Sequence, residues 1–272
     1  MKASGNIRKM KSVLGDQEVL YTLPLFDVLA PNEEVDMNGL IGQTIKLTFE
    51  NAIHCVVTGK KIPKAYGEGM SYDAFTKSPY AVESIIRPEL SMAHLGIALR
   101  DLEWETKHDV QPHIVYLSKT SGIKVGVTRK TQVPTRWIDQ GAHEAIVLAE
   151  TPYRQAAGLI EVALKGHLSD KTNWRAMLKN QNSATESLLE AKNRVQSLVP
   201  DDLQQYISKE DAVQNIHFPV LQYPSKVSSL KLDKLPVIEK KLIGIKGQYL
   251  IFDDETVINL RSHTGYRISL EA

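Results

Sequence analysis

The sequence predicts an α+β protein: a central α/β module, made of a small antiparallel sheet with helices, between a β-rich N-terminal unit and a C-terminal β unit. Three observations carry this prediction. Runs of alternating apolar and polar residues, separated by turn formers, fill both ends of the chain. Near the middle, two β-branched runs flank a Ser-Gly turn at Ser121 and Gly122. After Pro152, apolar residues recur at three- and four-residue steps, which is the spacing of a helix with one buried face. With 272 residues, 42% of them hydrophobic, the chain is long enough for a sizeable core and for more than one compact unit.

In order along the chain, 18–29 and 40–57 read as strands around a turn at 31–34. From 58 to 80 the composition shifts to Gly, Lys, Ser and Tyr without periodicity, the pattern of an irregular segment. Residues 81–110 show weak helical potential, interrupted at Pro88. His113–Leu117 and Ile123–Thr128 form the predicted hairpin. A short helix at 135–142 follows Pro134, and 145–150 is a third strand. The helix opened by Pro152 buries Ala156, Leu159, Ile160, Ala163 and Leu164, with Glu161 at the edge of that face. A polar, amphipathic helix at 183–198 has the character of a connecting element, and four β-like runs fill 216–272. These patterns divide the chain into 1–112, 113–180, 181–215 and 216–272.

Composition excludes several classes. No apolar run approaches the length of a membrane helix, and the start has no apolar segment of the kind that directs export, so a cytoplasmic protein without a membrane partner is expected. One cysteine, Cys55, rules out an internal disulfide framework. The net charge of +1 conceals an uneven distribution: 113–179 holds ten Lys and Arg against five Asp and Glu. Such an excess attracts polyanions, although it also suits a solvated surface.

The order of residues around the hairpin resembles that of the GIY-YIG nuclease superfamily. Ile114-Val115-Tyr116 looks like its first triplet, Lys124-Val125-Gly126 stands where the second would be, and Arg136 and Glu161 follow on successive helices. Lys124 replaces the second tyrosine, as in a Lys-Ile-Gly branch of that superfamily. A broader resemblance rests on IKVGVTRKTQVPTRWIDQGA (123–142), SDKTNWRAML (169–178) and GIKGQYLIF (244–252), which are similar to a bacterial family known as domain of unknown function 2797. That family has a cysteine-rich segment resembling a zinc ribbon. Here Cys55 keeps one ligand position, while Thr58, Ser71 and Ala74 stand at the other three. His54, His94 and His108 do not complete a tetrahedral set, so no zinc is expected.

The nuclease resemblance implies a GIY-YIG-like module at 113–180 and a role for each residue. Glu161 would hold Mg²⁺ through a hard carboxylate oxygen. Tyr116 would orient or deprotonate the attacking water, Arg136 would clamp the phosphate, and Lys124 would add a second positive charge. Gly126 matters through its absent Cβ, and His143 and Asp139 rank second as proton carriers. Arg129, Lys130, Lys171 and Arg175 are candidate contacts to a DNA or RNA backbone. Asp170 and Thr172 read as helix caps. The aromatic and basic residues Lys246, Tyr249, Phe252, Arg261, His263 and Tyr266 form either a stacking surface for single strands or an ordinary division between core and surface. The expectation is thus nucleic-acid processing, as a metal-dependent phosphodiesterase. The alternatives are binding of DNA or RNA without cleavage and a scaffolding role in a protein complex.

Overall fold

The computed structural model describes residues 1–27, 32–168 and 172–272. Its elements confirm the α+β class, and contacts divide the chain into two compact units, one formed by Met1–Thr76 with His217–Ala272 and the other by Lys77–Ile216. No described helix is long and apolar enough to cross a membrane.

In the first unit, β1 (Lys2–Ile7), β2 (Lys11–Leu14), β3 (Val19–Phe26), β4 (Glu33–Asp36), β5 (Thr44–His54) and β6 (Lys61–Ile62) precede α1 (Tyr72–Lys77). Positions 28 and 29 of the predicted 18–29 strand, and Pro31 of the predicted turn, lie outside the described residues. The second unit holds α2 (Leu102–Asp109), β7 (His113–Lys119), β8 (Ile123–Arg129), α3 (Thr135–Asp139), β9 (Glu144–Thr151), α4 (Arg154–Leu164), α5 (Trp174–Leu178), α6 (Leu188–Val195) and β10 (Val213–Asn215). The chain then returns to the first unit through β11 (Ser228–Ser229), β12 (Val237–Lys246), β13 (Tyr249–Phe252), β14 (Thr256–Asn259) and β15 (Tyr266–Glu271).

Strands from both ends of the chain pair in one sheet, ordered β11-β14-β13-β12-β5-β15-β1-β3-β2. The long strand β5 is antiparallel to both β12 and β15, and β15 is antiparallel to β1. Where the sequence suggests separate N- and C-terminal β units, the structure therefore has one. The alternation that makes each strand legible says nothing about its partner. Tyr21, Leu23 and Leu25 of β3 point inward with Ile268 and Leu270 of β15. β1 escapes the pattern because its inward positions include Ala3 and Asn6; the Asn6 amide donates to the Gly265 carbonyl at 2.7 Å and lies 2.9 Å from His54 Nδ1.

The irregular segment after β5 is organised around a sulfur. The Ser71 amide donates to Cys55 Sγ at 3.2 Å, and Ser71 Oγ accepts from the Ala74 amide at 3.1 Å. Burial alone would raise the Cys55 thiol, but hydrogen bonds from the Thr58 side chain and from the amides of Ser71, Thr58 and Val57 bring it down to about 6.

The second unit is built on a four-stranded sheet ordered β10-β9-β7-β8. The predicted hairpin is present, and its register pairs His113 with Arg129, Tyr116 with Gly126 and Ser118 with Lys124. One face of the sheet packs Val115, Leu117, Ile146 and Leu148 against Ala156, Ala157, Ile160 and Leu164 of α4 and against Leu188, Ala191 and Val195 of α6. Burying each of the larger aliphatic side chains contributes about 1.5–3 kcal/mol. Helix α6 is thus part of the core rather than a link between units. Its start is fixed by a capping box in which Ser187 and Glu190 satisfy each other's backbone amides. Before the hairpin, 83–85, 88–90 and 93–95 form single 3₁₀ turns, and the Asp101 side chain caps α2.

Candidate anion and metal site on the hairpin

Residues directly opposite on paired strands share a face, as do residues two apart on one strand. The register therefore directs Tyr116, Ser118, Lys124 and Gly126 to one face of the hairpin, opposite the face covered by α4 and α6. The Tyr116 ring folds over Gly126 so closely that a Cβ there would lie 2.6 Å from the Tyr116 hydroxyl. The absent Cβ of Gly126, expected to admit a helix or a substrate, instead makes room for the Tyr116 ring.

Helix α3 covers this face, burying Trp137 and Ile138. The Trp137 ring meets that of Tyr116 edge-on, with centroids 6.0 Å apart. The Tyr116 hydroxyl donates to Gln140 Oε1 at 2.8 Å, and the Arg136 guanidinium lies beside the same hydroxyl. Lys124 shares the face with Tyr116, and Glu161, carried by α4 on the other side of the sheet, reaches both through its charge. Lys124 feels both Arg136 and Glu161, and Tyr116 feels Arg136 and Glu161. The four residues singled out by their order in the sequence are electrostatic neighbours.

Each is perturbed for an identifiable reason. Tyr116 is fully buried, and burial raises its phenol; the Arg136 charge opposes this and Glu161 adds to it. Burial, aided by the positive Arg136, lowers the Lys124 ammonium to about 8 against the pull of Glu161. Burial also raises the Glu161 carboxyl; Lys165, with its Nζ 3.6 Å away, opposes the rise, Glu89 reinforces it and Arg154 opposes it. Among the described residues, neither Lys124 nor Arg136 has a carboxylate within ion-pairing distance, although Lys124 is only 5% exposed. Two cations held together without an acid between them form a site suited to an anion.

Glu161 keeps 13% of its side-chain surface and is not sealed in the interior. Among the described residues no three His, Cys, Asp or Glu side chains gather. A divalent ion here would take most of its ligands from water and a bound phosphate, as Mg²⁺ commonly does, and the hard oxygens of Glu161 fit such an ion.

The remaining candidates are dispersed. Arg129 lies near His113 and Arg154. Lys130 is ion-paired with Glu150, Nζ to Oε1, at 2.8 Å. Arg175 is exposed and lies over the Trp174 ring, 4.2 Å from its centroid. Lys171 and Asp170 lie outside the described residues. Asn173 caps α5, accepting from the Ala176 amide at 3.2 Å, whereas Thr172 meets Thr120 at 3.1 Å. Asp139 ends α3, and the His143 amide donates to the Lys119 carbonyl just before β9. The C-terminal group follows the ordinary division between core and surface: Lys246, Phe252, His263 and Tyr266 are buried while Tyr249 and Arg261 are half-buried, and Lys246 lies near the rings of Phe218 and Tyr223.

Three neighbours of the site were missed in the sequence. Gln140, which holds the Tyr116 hydroxyl, follows Arg136 by one helical turn. Arg154 precedes Glu161 by two turns, so spacing along α4 would have placed it on the same side. Glu89 carries no such signal.

The profile of a family described as protein of unknown function (DUF2797) matches residues 42–268. The chain belongs to this family. The match covers all of the second unit and most of the returning strands, so every residue of the site falls within the family's extent. No curated protein and no solved structure matches the chain.

Proposed function

We propose that the hairpin site binds the phosphodiester backbone of DNA or RNA and hydrolyses it with a divalent ion, in the manner of a GIY-YIG-like nuclease. The observation that carries this reading is the pairing of Lys124 and Arg136 without a carboxylate between them, near a largely buried Glu161 side chain that keeps a small exposed surface. Arg136 and Lys124 would hold the non-bridging oxygens of one phosphate, Arg136 through its planar fork and Lys124 as a point charge. Tyr116, buried and with its phenol raised, is a poor base. Its hydroxyl, fixed by Gln140 and Arg136, serves to orient a water or a phosphate oxygen. Glu161 would hold Mg²⁺, which when bound supplies charge neutralisation and a more acidic water.

The test is nicking of plasmid and branched DNA by the full chain with and without Mg²⁺, beside a binding titration. Mg²⁺-dependent strand cleavage that disappears in Glu161→Ala while DNA binding persists is the expected result. Absence of cleavage in the wild type defeats the hydrolytic reading. Steeply salt-dependent affinity without cleavage favours the second reading, a non-catalytic DNA- or RNA-binding protein, which the same two unpaired cations support.

A further inference from the structure

Segment 83–91 precedes the hairpin module in sequence, yet it is anchored to α4 from several directions. Arg154 donates from Nε to the Ser84 carbonyl at 2.8 Å and from Nη2 to the Ile85 carbonyl at 3.0 Å. Gln155 Nε2 donates to the Glu89 carbonyl at 3.2 Å. At Gly158 the two backbones meet: a Cβ there would lie 2.2 Å from the Glu89 nitrogen and 2.5 Å from the Pro88 carbonyl carbon. Behind the segment, buried Asp109 accepts from Ser91 Oγ at 2.7 Å and lies 3.5 Å from Ser84 Oγ. Burying a carboxylate and two hydroxyls is unfavourable unless they satisfy one another, and a satisfied network fixes a single conformation.

What that conformation presents is Glu89. Its Oε1 accepts from Arg87 Nε at 3.1 Å, whereas its Oε2 is shut off from solvent and has no hydrogen-bond partner. Its backbone nitrogen packs on Gly158, three residues before Glu161, so Glu89 stands within one turn of Glu161 along α4. Two carboxylates held near each other on packed elements repel, and an orphaned buried oxygen adds to the cost. A hard divalent ion that takes one oxygen from each relieves both effects, and Mg²⁺ is commonly held by one or two carboxylates.

We infer that Glu89, contributed from outside the hairpin module, is a second oxygen ligand for the divalent ion of the Glu161 site. This rests on the reading that the site takes such an ion. Arg154, Asp109 and Gly158 are then positioning residues, which act by holding the Glu89 turn against α4.

The test uses the full chain and Mn²⁺ alone, a hard ion whose free concentration is followed by electron paramagnetic resonance, with no nucleic acid present. Glu89→Gln and Glu161→Gln are each expected to weaken Mn²⁺ binding at least tenfold. Glu89→Asp, which keeps the charge but withdraws the oxygen, is expected to weaken it by less. Mn²⁺ should raise the melting temperature of the wild type and leave that of Glu89→Gln unchanged, a difference that loss of a merely structural contact would not produce. If Glu161→Gln abolishes binding while Glu89→Gln and Glu89→Asp bind as the wild type does, the inference is overturned and the Glu161 site stands. If the wild type binds no Mn²⁺, or Glu161→Gln binds it undiminished, the metal reading of the whole site falls and takes this inference with it.

Discussion

Lys124 concentrates the electrostatics of the site in one side chain. Below about pH 8 it is protonated in the folded and unfolded chain alike, and folding carries the full penalty of burying its charge beside Arg136. Between about 8 and its ordinary 10.5 the folded chain sheds the proton while the unfolded chain keeps it, so this contribution to stability rises with pH. Lys124→Met is therefore expected to melt above the wild type at pH 7, with the gap closing as pH approaches 10, which thermal melts over that range will show. On the proposed function, binding of DNA should behave in the opposite sense. Wild-type affinity is expected to fall as pH rises through about 8, while that of Lys124→Met stays flat and its log–log salt slope is lower by about one phosphate contact. Tyr116→Phe would strand the Gln140 carbonyl oxygen and is expected to destabilise by about 1–3 kcal/mol. Pairing it with Gln140→Leu should restore part of the loss in a double-mutant cycle by chemical denaturation.

At the level of elements, two glycines mark where the site is assembled. In Gly126→Ala the new methyl would meet the Tyr116 hydroxyl, which is tied to Gln140, and overpacking of this kind costs about 1–3 kcal/mol. Gly158→Ala would meet backbone, which cannot rotate away; its loss in unfolding free energy should exceed that of Gly126→Ala, and the Glu89 turn should lose amide-exchange protection. The same comparison shows what a sequence can reveal. The hairpin, α3, β9 and α4 were legible because period-two and three-to-four-residue patterns are local, whereas the grouping of Tyr116, Lys124, Arg136 and Glu161 came from the GIY-YIG resemblance and not from any periodicity. The Glu89 turn was not, since its anchors on Asp109 and Arg154 lie some 20 to 70 residues away and leave no periodicity. For α6 the amphipathic pattern announced a buried face but could not name β7 and β9 as what lies beneath it.

Over the whole molecule, the first unit depends on strands separated by the entire length of the second. Removing 266–272 would take out β15 from between β1 and β5, two of the long antiparallel pairings of the sheet. Limited proteolysis of such a truncation is expected to cut freely within 1–76, while 77–216, whose sheet and core are its own, stays protected. That pairing of chain ends was invisible in the sequence because alternation fixes which side of a strand faces inward and not which neighbour it takes.

This topology also sets a timetable for biosynthesis. A ribosome releases β1 to β5 long before β12 and β15 exist, whereas the stretch from 77 to 216 emerges with every partner it needs. The domain begun first is thus completed last, and until then its nascent strands present open edges of the kind that chaperones shield and aggregates exploit.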